Sequence, residues 1–168
     1  MPRYRIWTVG GLSPGVGPVQ GALLYMLIRK EGEIHRLASY AMIGGGLSAG
    51  LKGGVSIALG PQSSSDFDSP VQDADLFWGT VSTLENGIQL GVVNAGYSDM
   101  IWLTGPAAGT RCSSESHGVC LGASVTWGSS TLVMFKFLGW EYAPQNQKPA
   151  KPQPEPSLFW SNSGLVQR

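Results

Sequence analysis

Apolar and polar residues alternate with period two along most of this chain. Residues 4–9, YRIWTV, read as a first strand, and GGLSPGVGP (10–18) as the loop that follows it. GALLYMLIRK and EIHRLASYAMI flank Glu31-Gly32, a two-residue turn, so 20–43 reads as a hairpin. A helical reading competes there, because Ile34, Leu37, Ala38, Ala41 and Met42 keep helical spacing.

A helix is the poorest reading of IGGGLSAGLKGGVSIALG (43–60), since each interior Gly costs about 1 kcal/mol relative to Ala. Leu47, Ala49, Leu51, Gly53, Val55, Ile57 and Leu59 fall on one face of an extended chain. A hairpin at Gly53-Gly54 would break that alternation. The pair is therefore expected to mark a bulge or bend within one strand.

Downstream, PQSSSDFDSPVQDAD (61–75) reads as a polar loop. LFWGTVSTL and IQLGVVNAGYS flank Asn86-Gly87, the strongest short hairpin signal in the chain. MIWLT (100–104) is a short strand closed by GPAAG. VCLGASVTW and TLVMFKFLGW predict a last hairpin across Gly128-Ser129-Ser130. The expected fold is all-β: a small, Gly-rich antiparallel β-barrel or tightly twisted sandwich of about eight or nine strands. It occupies 1–142. Residues 143–168 are expected to form a Pro-rich extended arm ending in the apolar anchor Leu158, Phe159 and Trp160.

Composition narrows the function. Formal net charge is zero and charged residues make up 13%, about half the usual share. Without a basic patch to meet phosphates, nucleic acid is not expected as a partner. Neither ALLYMLI (22–28) nor TLVMFKFL (131–138) is long enough for a helical span, and MPRYRIWTVGG lacks a signal-peptide core. The sequence leaves the location open: the cytoplasm, the exterior by a non-classical route, or export with a leader since removed.

Candidate chemistry is sparse. Cys112, His117 and Cys120 have zinc-binding side chains, with Glu115 between them, but a paired C-x2-C and a fourth ligand are missing. A Cys112–Cys120 disulfide is the preferred reading. Cys120 as a nucleophile, with His117 or His35 as its base, has no local signature. Asp66, Asp68, Asp73 and Asp75 crowd one segment without EF-hand spacing, so a solvated acidic loop is preferred over calcium. No phosphate-binding or nucleophile-elbow motif occurs in the sequence, and no cofactor is expected. Trp7, Trp78, Trp102, Trp127 and Trp140 fall in or beside strands, as core, girdle or ligand-cavity residues.

Three functions remain. The first is a non-catalytic protein-binding module, such as a secreted bacterial factor, tethered to itself or to a protein partner by its arm. The second is a membrane-active or membrane-embedded β-barrel, in which eight strands of about ten residues would cross a thin bilayer. The third is an enzyme with a Cys/His site. Self-association and a small apolar ligand are compatible with the first.

Overall fold

The computed structural model describes residues 1–142; within them the side chains at 17, 48–56, 58–63, 89–94 and 116–129 lie outside the described residues. The expected arm, with Leu158, Phe159 and Trp160, also lies outside them. The fold is all-β. Four long strands form one antiparallel sheet: β1 (Arg3–Lys30), β2 (Arg36–Asp68), β3 (Gly79–Trp102) and β4 (Arg111–Tyr142), in the order β1-β2-β4-β3. A single 3-10 turn, Ala74–Leu76, lies between β2 and β3.

These strands are too long to stay flat, and the sheet folds in half across its middle. Irregular pairing marks the fold line: the register slips between Gly17 and Val19 on β1, between Leu47 and Lys52 on β2, and between Gly91 and Val93 on β3. On β4 the β2 slip faces the part between Ser124 and Ser130, and the β3 slip the part between Val119 and Gly122. Each strand thus contributes two arms, and the eight arms form a nearly closed antiparallel barrel.

Closure occurs where each edge strand meets itself. Glu31 donates its backbone N–H to the carbonyl of Arg3 (2.8 Å), joining the two ends of β1. Further along this seam Gly11 lies against the backbone of Leu23 and Leu24, where any Cβ would collide with main chain. At the other edge, Leu103 donates to the Thr80 carbonyl (2.8 Å), bringing the end of β3 back to its start. Gly105 permits this approach: its φ of +86° suits glycine, and a Cβ there would strike the Trp78 carbonyl.

Several predicted turns become bends. Residues 10–18 lie inside β1, and Gly128-Ser129-Ser130 lies inside β4. Asn86-Gly87 is not a hairpin tip. It lies in β3 at a slip between Glu85 and Gly87, because β4 runs alongside without interruption. Gly53-Gly54 is, as expected, within one extended strand with slips nearby. The 20–43 hairpin is present, with a longer loop (31–35) than two residues. The segment 61–68 belongs to β2 rather than to a loop.

The hydrophobic core occupies the end opposite the fold line. Tyr4, Ile6, Met26, Ile28, Tyr40, Phe67, Met100, Trp102 and Phe135 are buried there. The β2–β3 connection (69–78) crosses this open end and plugs it with Val71, Ala74 and Phe77. Phe77 meets Tyr4 edge-on with ring centroids 4.9 Å apart, and Trp102 at 5.5 Å. Polar tips of the barrel aromatics satisfy the plug backbone: Tyr4 donates to the Val71 carbonyl (2.8 Å), Tyr40 to that of Ala74 (2.7 Å) and Trp102 Nε1 to that of Phe77 (2.8 Å). The Tyr40 hydroxyl also accepts from the Phe77 N–H (3.1 Å). These bonds hold an irregular segment inside an apolar interior, where unpaired backbone groups would be costly.

Candidate functional site

Among the described residues, those singled out in the sequence do not converge. Cys112 is a free, buried thiol, so the expected bridge to Cys120 is not formed. Both cysteines lie on β4, and the ladder to β3 runs unbroken from Cys112 to Val119, about 3.3 Å per residue. A bridge needs Cα atoms within about 7 Å. Burial pushes the Cys112 thiol up to about 11, which keeps it protonated and unreactive. The side chains of His117 and Cys120 lie outside the described residues, while Glu115 faces solvent and Cys112 the interior. No group of three metal-binding side chains occurs among the described residues.

The four aspartates are dispersed. Asp66 on β2 takes a bidentate pair from Arg5, whose Nη2 lies 2.7 Å from Oδ2. Hydrogen bonding from Arg5 holds the Asp66 carboxyl below its usual range. Asp73 caps the 3-10 turn, accepting from the Ala74 N–H (2.9 Å), and pairs with Arg36 (3.4 Å). Among the tryptophans, Trp102 is fully buried and Trp78 is about half exposed. Trp7 lies under the guanidinium of Arg29 and Trp140 under that of Arg36, 5.2 and 3.4 Å from the ring centroids. The side chain of Trp127 lies outside the described residues.

A different feature emerges from the register. Four arms share aligned rows, and Ala22, Gly44, Val133 and Val81 form the last apolar row facing inward. One step toward the fold line, the inward row is Gln20, Gly46, Thr131 and Thr83. Gln20, Thr83 and Thr131 are buried; the two threonine hydroxyls bond each other (2.7 Å), and Gln20 Oε1 lacks a partner among the described residues. Alternation then directs Glu85 inward as well, since Thr83 is buried and Leu84 exposed.

The outer surface reverses in the opposite sense. Around the same rows Val19, Leu23, Ile43, Leu47, Leu132, Met134, Leu84 and Ile88 face outward, and they are 46–65% exposed. Leu23, Ile43 and Met134 stand side by side across three arms. Leu12 and Val16 extend this surface across the β1 seam. Single exposed apolar residues are ordinary, but a continuous apolar wall around a polar interior is not.

Charge follows the same division. The sequence stretches 6–28, 37–65, 76–98 and 116–135 contain only Lys52 and Glu85 as charged residues. The remaining charges of 1–142 belong to the plugged end and its rim. Aromatic residues stand near the boundary: Tyr25 pairs with Ala41 on β2, Trp78 immediately precedes β3, and Trp7 and Tyr97 lie on other arms. The sequence signal for this division existed in the spacing of charges. It becomes meaningful only once folding in half brings the middles of all four strands to one end.

No known family model, curated protein or solved structure matches this chain.

Proposed function

We propose that this protein is a membrane-active β-barrel that embeds the fold-line end in a lipid bilayer and keeps the plugged end in water. The observation that carries this reading is the reversal of polarity: an apolar outer wall surrounds a lumen lined by Gln20, Thr83 and Thr131. Transmembrane barrels have that arrangement, with lipid outside and polar groups inside. An apolar wall alone would equally suit a protein partner. The polar row behind it is what this barrel shares with lipid-facing ones.

Dimensions support the same reading. The charge-poor stretches, which hold only Lys52 and Glu85, supply roughly twelve residues per arm when folded in half, against the about 9–11 that a tilted strand needs to cross a bilayer. Trp7, Tyr25, Trp78 and Tyr97 occupy the level where aromatic girdles sit at the lipid–water boundary. Each arm continues through the fold line as strand, and most of the backbone there keeps hydrogen-bonded neighbours, as hydrocarbon demands; the ladders lapse on β2 between Leu47 and Lys52. No catalytic step is invoked.

The test is flotation with phosphatidylcholine vesicles, followed by alkaline carbonate extraction. The wild-type chain should float and resist extraction. Ile43→Arg/Met134→Arg places two charges side by side in the apolar wall, at a depth-dependent cost of up to about 2–4 kcal/mol each. That variant should remain in the aqueous fraction. A wild-type chain that stays in water at every lipid concentration would overturn the reading.

A further inference from the structure

The β1 seam carries a second feature, just beyond the apolar wall. A cleft of about 130 Å³ opens between the two ends of β1, lined by Arg3, Arg5, Arg29, Glu31 and Asp66. Arg5 is engaged by Asp66, and Arg3 approaches the same carboxylate at 3.8 Å. Arg29 stacks over Trp7, and among the described residues no carboxylate lies within ion-pair distance of it. Three guanidiniums therefore face two carboxylates, and one carboxylate is already shared by two of them.

We infer that this cleft binds the phosphate of an anionic phospholipid, which rests on the bilayer reading above. Arginine forks match phosphate oxygens in pairs, and Arg29 has its donors free of carboxylates. The Arg5–Asp66 pair fixes one wall of the cleft, and the Glu31–Arg3 backbone bond fixes the floor of the seam. Trp7, held under Arg29, places the ring at the boundary where a glycerol backbone lies. From there the acyl chains would run along Leu12 and Leu23, the outward residues on the two arms of the same strand. A soluble phosphate would use the guanidiniums but gain nothing from that apolar track.

The experiment compares partition of the full chain onto phosphatidylcholine vesicles with and without about one-third phosphatidylglycerol, at roughly physiological salt. Wild-type protein should prefer the anionic vesicles. Arg3→Gln/Arg29→Gln should lose about five-fold per arginine, roughly thirty-fold in all, of that preference, while its partition onto neutral vesicles stays unchanged. Arg36→Gln/Arg111→Gln removes equal charge at the plugged end, away from the boundary, and should lose much less. Equal loss in both double variants, or no wild-type preference, overturns the cleft while leaving neutral-vesicle insertion intact. Calorimetric titration with glycerol phosphate, without vesicles, separates the two phosphate sources: much weaker binding than to anionic vesicles is expected, whereas equally tight binding that disappears in Arg3→Gln/Arg29→Gln would assign the cleft to a soluble phosphate and overturn the lipid. Failure to bind either vesicle overturns both this inference and the bilayer reading.

Discussion

The two ends of this barrel are made from the same four strands but differ in where they put their large apolar side chains. At the plugged end Tyr4, Tyr40, Phe67, Phe77, Trp102 and Phe135 fill the interior, and Arg3, Arg5, Asp66 and Arg111 stand outside. At the fold-line end Gln20, Thr83 and Thr131 line the interior, and Leu47, Leu132 and Met134 stand outside. On β4 the change occurs within a few residues: Phe135 and Val133 face in and are apolar, then Thr131 faces in and is polar. Alternation continues without a break, while the medium it implies is exchanged. Period two specifies which residues share a face. It does not specify whether that face meets water.

Removing the largest core side chain should separate the ends most strongly. Trp102 is fully buried, stacks on Phe67 (5.8 Å) and meets Phe135 edge-on (5.4 Å). Trp102→Ala should cost about 3–5 kcal/mol in urea unfolding, and it also leaves the Phe77 carbonyl without its donor. Met134→Ala, on the outer wall, should stay within about 0.5 kcal/mol when measured in water. Similar losses from the two substitutions would mean that the wall is part of a packed core.

A smaller effect sharpens the picture of the lumen. Thr83→Val leaves the Thr131 hydroxyl without its partner, at a cost of about 1–3 kcal/mol in a dry interior. Thr83→Val/Thr131→Val should recover most of that loss. If the single substitution costs less than about 0.5 kcal/mol, water has replaced the missing hydroxyl, and the lumen is wet at this level.

The smallest effect is alkaline, and it belongs to the plugged end alone. Burial, then the charges of Asp73 and Glu33, pushes the Tyr4 phenol from 10.0 up to about 12, and burial raises Tyr40 as well. Because the folded values lie above the unfolded ones, the folded state holds its phenol protons longer. Their contribution is complete below pH 10 and is lost as pH rises through the folded values. Stability should therefore decline from about pH 10 upward, and Tyr4→Phe should flatten the decline. A profile unchanged by that substitution would remove Tyr4 as a cause.

Much of the barrel was legible in the sequence because strands alternate and hairpins need glycine. The 20–43 hairpin and the extended 47–59 segment are examples. Asn86-Gly87 misled because glycine serves a bend as readily as a turn, and the choice lies with the neighbouring strand. Here β4 continues past Asn86-Gly87, pairing Glu85 with Ser129 and then Gly87 with Thr126, so the chain bulges and proceeds. Cys112 and Cys120 looked close because eight residues can form a loop; in a strand those residues keep the two apart. The polar lumen was hidden for a similar reason. Gln20, Gly46, Thr131 and Thr83 are scattered in sequence, and only the strand register assembles them into one row.

The order of the strands also sets how the chain finds its fold. β1 and β2 are joined by the short loop 31–35, and β3 and β4 by 103–110, so each pair can zip outward from its own connection. Joining the two ribbons is different. It aligns Arg36 with Tyr142, 106 residues further along the chain, and closure of so long a loop must be met before any contact rewards it. Until β4 arrives, β2 has one unpaired edge along its whole length, with Ile43 and Leu47 beside it. The interval between ribbon formation and ribbon docking is therefore when this chain is most prone to pair with another copy of itself, and dilution or prompt delivery to a surface is the physical remedy.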